Sequence, residues 1–207
     1  MQRQRGHSRT WRIQKKLNEL AATKDATVVY QDEVHFQVAT SVTRKWVPKG
    51  SKPKVKSASA KKNAAYSGYV VPTTGELIVT KPGWFNYETV IQSLRDFICA
   101  YPTPDGHKIY MVLDNAPWHK KAVRLVQREA REEYADIRDK MVLVSLPPYS
   151  PDLNPIEQCW RITRREVTHN TYFPTIENLE NTLDNYFALH RQPNSKFAAL
   201  CSFKHKC

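Results

Sequence analysis

Short apolar runs of strand length, separated by stretches with helical periodicity, set the narrowest limit on how this 207-residue chain folds. The run TVVYQDEVHFQV at 27–38 is rich in β-branched and aromatic residues and predicts a strand interrupted by the polar pair Asp32 and Glu33. AAYSGYVVP (64–72) and ELIVT (76–80), joined through Thr-Thr-Gly, predict a hairpin. HKIYMVLD (107–114) and MVLVSL (141–146) predict buried strands, the first ending on Asp114. Helical spacing places Val90, Ile91, Leu94, Phe97 and Ile98 on one face, behind Asn86 as N-cap. The same spacing predicts a second helix over 119–134, with Ala122, Val126, Ala130 and Tyr134 in a stripe. After the proline-rich turn PPYSPDLNP (147–155), Asn154 is expected to cap a third helix whose first residue is Pro155. A last helix is expected from Thr175, with Ile176, Leu179, Leu183 and Phe187 inward, and a short basic helix over 11–22. Strands first, then alternation of strand and helix, predict an α/β fold layered around a mixed sheet.

The length suits one core. No apolar run is long enough for a membrane span, and the polar N-terminus lacks the apolar stretch of a signal peptide, so no membrane partner and a cytoplasmic location are expected. The net charge is +12, and it is clustered. Residues 1–25 carry seven Lys/Arg against two acids, and residues 44–62 carry eight against none, which leaves the remainder near neutral. Clustered cations favour phosphate partners through counterion release, so contact with nucleic acid is expected. Lys45, Lys49, Lys52, Lys54 and Lys56, in a basic Pro/Ser/Lys loop, are the candidate contacts there. Cys99, Cys159, Cys201 and Cys207 contain no CxxC pair, and Cys201, His205 and Cys207 supply too few ligands for a zinc site.

Three acids stand out by position. Asp32 lies inside an apolar strand, Asp114 ends another, and Glu157 lies in the first turn of a helix. A carboxylate among apolar strand residues is costly without a partner. Hard oxygen ligands suit Mg²⁺ or Mn²⁺, and two ions about 3.5–4 Å apart suit phosphodiester chemistry. Taken singly, each acid also has an ordinary explanation: a solvated edge for Asp32, turn chemistry for Asp114, the helix dipole for Glu157.

With these residues placed, the chain resembles transposases of the IS630/Tc1/mariner superfamily, whose catalytic domain belongs to the DDE group. The stretches that carry the resemblance are YQDEVHFQ (30–37), LDNAPWHK (113–120) and LPPYSPDLNPIEQCWRITRR (146–165), and the similarity spans about 27–190. The resemblance implies an RNase H-like fold, a mixed five-stranded sheet flanked by helices. It implies that Asp32, Asp114 and Glu157 form the catalytic, metal-binding triad for two Mg²⁺ (or Mn²⁺) ions. The third acid is Glu, as in IS630 and Tc1 types. The implied activity is transposition: metal-dependent DNA cleavage followed by strand transfer, as a homodimer on double-stranded transposon ends and TA-containing target DNA. Two other readings stay open, a DNA-binding remnant that regulates without catalysis and an RNase H-like nuclease without strand transfer. Localisation would be bacterial and nucleoid-associated.

Neighbouring residues carry further expectations. Glu33 is read as supporting the metal ligands or as facing the other side of the strand. Arg161, Arg164 and Arg165 are read as phosphate contacts on the exposed face of the third helix. His119 is read as a DNA contact or as a locally satisfied histidine, Asp152 as a turn residue, and Trp160 as core. The expected organisation is a basic segment over 1–26, a catalytic domain over 27–192 and a basic tail over 193–207. Residues 1–26 are too few for the helix-turn-helix region that precedes this domain in such transposases. They are read as the remnant linker to one encoded separately or upstream.

Overall fold

The computed structural model describes residues 15–52, 54–57, 62–148 and 153–202. A helix over 15–21 (α1) leads into β1 (Ala26–Gln37), followed by the hairpin β2 (Asn63–Val71) and β3 (Glu76–Thr80). Then come α2 (Tyr87–Ala100), β4 (Lys108–Leu113), α3 (Pro117–Val123), α4 (Ala135–Lys140) and β5 (Met141–Ser145). The chain continues through α5 (Ile156–Thr163), α6 (Ile176–His190) and α7 (Ser195–Cys201). The five strands form one mixed sheet in the order β3-β2-β1-β4-β5, antiparallel across the first three and parallel from β1 through β4 to β5. The α/β class and the mixed five-stranded sheet are as expected.

Strand periodicity of two divides the core into two layers. Val28, Tyr30, Val34 and Phe36 of β1 join Val112 of β4 and the inner residues of α5, α6 and α7 on one face. Val29 of β1 and Ile109, Met111 and Leu113 of β4 join α2, α3 and α4 on the other. Asn86 caps α2 with a full capping box, its side chain accepting from the Thr89 amide at 2.8 Å. Thr175 caps α6, whose Leu179, Leu183 and Phe187 are buried as the spacing required.

Three expectations need correction. The helix expected over 119–134 ends early: α3 continues as a π-turn over Arg124–Arg128, and Ala130 has φ 48°, a left-handed conformation that stops the helix. Asn154 does not cap α5. Its side chain is buried, and its amide nitrogen donates to the Gln31 carbonyl at 3.4 Å, tying the loop to β1. Within 193–207, read as a tail, α7 places Phe197 and Cys201 in the core, so the packed unit extends past residue 192. Residues 11–14 of the basic helix, together with Asp152, His205 and Cys207, lie outside the described residues.

Candidate active site

The parallel register of β1 and β4 ends with Tyr30 beside Val112. Two residues further on come Asp32 and Asp114. By strand alternation Asp32 belongs to the face that carries Tyr30, Val112 and α5, whereas Asp114 follows the last residue of β4 and turns its side chain to His119 of α3. Helix α5 crosses that face. Trp160, 1% exposed, donates its indole N–H to Asp32 Oδ2 at 3.1 Å. Glu157 precedes Trp160 by one turn and is exposed in the first turn of α5. Helix packing thus brings Glu157 near enough to Asp32 to raise its pKa, while the partners of Asp114 are His119 and the Ala116 amide. Among the described residues, no group of three or more Asp, Glu, His or Cys side chains stands close enough together to hold a metal ion.

Close approach by Trp160 depends on Gly68. Gly68 is the β2 partner of Asp32 in the antiparallel register. A Cβ there would lie 2.2 Å from Trp160 Cη2, so only glycine leaves room for the indole to cross the strand.

The electrostatics are those of a site short of positive charge. Burial, reinforced by the nearby carboxylates of Glu157 and Glu33, pushes Asp32 up to about 7. Asp114 behaves differently. Burial acts to raise it, yet a hydrogen bond from His119 Nδ1 at 2.5 Å and one from the Ala116 amide at 2.8 Å hold it below the usual carboxylate range.

His119 is wholly buried, and its other nitrogen, Nε2, donates to Glu33 Oε1 at 2.8 Å. Burial disfavours its charge, but the two carboxylates outweigh that and hold the imidazolium up to about 9. Gln31 Nε2 donates both to Glu33 Oε1 at 3.1 Å and to Ser67 Oγ at 2.9 Å. Glu33 therefore faces away from Asp32, and it grips Asp114 through His119. The reading of His119 as a DNA contact is corrected: neither ring nitrogen is accessible. The core reading of Trp160 holds, with a polar role that the sequence did not show.

The predicted DNA contacts fall in separate places. Lys45, Lys49, Lys52, Lys54 and Lys56 are exposed on the loop after β1. Arg161 is exposed on α5 one turn after Glu157. Arg164 is half-buried, its guanidinium 5.7 Å from the Phe36 ring centroid, and Arg165 is exposed 3.7 Å from Glu166.

A mixed five-stranded sheet in the order β3-β2-β1-β4-β5, with helices on both faces, defines an RNase H-like fold. The chain belongs to the DDE superfamily endonuclease family, whose pattern matches residues 27–180. In fold it is similar to the Mos1 transposase paired-end complex with left transposon end, at TM-score 0.61 and 20% identity, over 94% of this chain and 57% of that one. The Mos1 mariner paired end complex with Mn is similar at TM-score 0.57 and 21% identity, over 83% of this chain and 50% of that one. An uncharacterized protein of Sinorhizobium fredii, y4pE/y4sA, is 31% identical over 75 residues, 36% of this chain and 47% of that protein. The chain spans about half the length of the relatives it matches. Among the described residues no helix is long and apolar enough to cross a membrane.

Proposed function

We propose that this domain cuts and joins DNA strands by metal-assisted phosphoryl transfer, with Asp32, Asp114 and Glu157 as the catalytic carboxylates. The observation that carries the reading is the setting of Asp32: a half-buried carboxyl on β1, bonded by Trp160 to the helix that bears Glu157, with the carboxylates of Glu157 and Glu33 near enough to raise its pKa. The donor set, all carboxylate oxygen, fits Mg²⁺ or Mn²⁺. The Mos1 complex with Mn, alike in fold, supports that assignment. Two such ions would lower the pKa of an attacking hydroxyl and offset charge on the leaving oxygen.

The protein's own part is positioning. Trp160 fixes one oxygen of Asp32, and His119 fixes one oxygen of Asp114. Each carboxylate then has its other oxygen to offer in a set direction. Glu157, exposed in the first turn of α5, would supply the third carboxylate. Cleavage sets a water against the phosphorus and releases a 3′-hydroxyl. Joining uses that hydroxyl as the nucleophile in line with a target phosphodiester, and neither step needs a covalent protein–DNA link.

In this reading the substrates are double-stranded transposon ends and TA-containing target DNA, the working form is a homodimer, and end recognition falls to a helix-turn-helix region. Supercoiled plasmid incubated with Mg²⁺ or Mn²⁺ tests the chemistry. Wild-type protein should nick it, and Asp114→Asn, folded by circular dichroism, should not. Nicking by Asp114→Asn would overturn the assignment, and absence of nicking by the wild type would favour a non-catalytic DNA-binding role. Joined products with a labelled 3′ end separate a transposase from a nuclease.

A further inference from the structure

A second feature adjoins the site without belonging to the triad. A groove of about 550 Å³ runs between α3, its π-turn and the segment after β5. Lys120, Lys121, Arg124 and Arg128 form one wall, and Leu146, Pro147 and Pro148 the other. All four cations are exposed, and no acid occurs between residues 117 and 128. Lys120 and Arg124 are one helical turn apart, about 6 Å along the axis, so they make a row rather than a point. Lys121 holds its ammonium 3.4 Å from the Tyr87 ring centroid. Arg124 pairs with Glu129 at 3.2 Å, an acid that Arg131 also engages at 2.9 Å. Lys120 and Arg128 have no ion pair among the described residues.

The groove is joined to the candidate active site by one residue. Asn115 lines it, follows Asp114 directly, and donates its side-chain amide to the Leu146 carbonyl at 2.6 Å. One end of the groove therefore lies a single residue along the chain from Asp114. A cationic wall facing an apolar proline wall fits a phosphodiester chain, with phosphates on one side and sugars on the other.

We infer that this groove seats the backbone of one strand of duplex DNA beside the bond to be cut, Lys120, Arg124 and Arg128 contacting successive phosphates. The inference rests on the DNA-cutting reading above, but its test measures binding alone.

The experiment is fluorescence anisotropy with a fluorescein-labelled DNA duplex in EDTA, at several salt concentrations, using the full chain. Each lost phosphate contact should reduce the slope of log affinity against log salt by about 0.9. The triple variant Lys120→Ala/Arg124→Ala/Arg128→Ala should therefore lose about 2.7 from the wild-type slope. The double variant Lys120→Gln/Arg128→Gln leaves the Arg124–Glu129 pair intact and should lose about 1.8 even if the triple variant folds poorly. An unchanged slope in a folded double variant overturns the inference. So does an RNA duplex of the same sequence that binds more tightly and loses the same slope, which would make the groove an RNA site. Because no cleavage is measured, failure of the catalytic triad and failure of the groove are read separately.

Discussion

Trp160 donates its indole N–H to Asp32 Oδ2 at 3.1 Å, so the helix that carries Glu157 is tied to the strand that carries Asp32. Replacing Trp160 by Phe keeps most of the packing and removes the donor. A hydrogen bond to a carboxylate is worth about 1.5–3 kcal/mol, and refilling of the space offsets part of it. Trp160→Phe should lower unfolding free energy by about 1 kcal/mol in urea titration. Plasmid nicking should slow by about tenfold, which corresponds to ~1.4 kcal/mol of lost positioning. Wild-type nicking by a destabilised variant would show that the contact serves the fold alone.

Gly68 sits beneath the same indole. Trp160 cannot swing aside, because Phe36 and Phe187 meet it edge-on at centroid distances of 6.4 and 6.2 Å. Gly68→Ala forces a methyl to within 2.2 Å of the ring, and overpacking of this kind costs about 1–3 kcal/mol. The thermal midpoint should fall, and the double variant Gly68→Ala/Trp160→Leu should regain part of what Gly68→Ala alone loses. Additive losses in that double variant would mean that the clash is not the cause.

The sequence shows the scaffold of this site better than its wiring. Asp32, Asp114 and Glu157 were visible because an acid inside or at the end of an apolar run is chemically out of place. Strand order and alternation then set the face of Asp32, and the bond from Trp160 sets the helix of Glu157 against it. The Glu33–His119–Asp114 chain was not visible. It joins residues 86 apart across the sheet, and a histidine at a helix start has no pattern of its own. Asn154 misled because its capping chemistry was overridden by a tertiary bond to Gln31. The row Lys120, Arg124 and Arg128 was muted by charge counting, since Glu129, Glu132 and Glu133 follow closely and bring residues 117–133 down to a net +2. Spacing, not net charge, was the signal that would have found it.

His119 should prove structurally costly to remove. Its side chain is 0% exposed and that of Glu33 is 8% exposed, so His119→Ala leaves a buried carboxylate without its cation. Breaking such a pair from one side costs about 3–5 kcal/mol. His119→Ala should lose roughly 3 kcal/mol or more in urea unfolding, and adding Glu33→Gln should restore part of it by removing the stranded charge. No recovery in the double variant would contradict the bridge.

Glu166 offers a pH test remote from the candidate metal ligands. It follows α5 and contacts the next two helices: Lys196 of α7 pairs with its Oε1, and the Tyr186 hydroxyl of α6 donates to Oε2 at 3.0 Å. Burial acts to raise its pKa, but these partners prevail and hold it below the usual value of 4.5. A lowered carboxyl stabilises the fold above its unfolded pKa, and that contribution fades as pH falls through the folded value. The ion pair is partly exposed, with side chains 47% and 32% accessible, so its worth is at most about 1 kcal/mol. Glu166→Gln should therefore be less stable than wild type by roughly 0.5 kcal/mol at neutral pH, with the gap closing as pH drops well below 4.5. Urea titrations at a series of pH values measure this. A gap that widens in acid would mean that the contact stabilises through the protonated carboxyl, opposite to the charge pairing seen between α7 and the turn after α5.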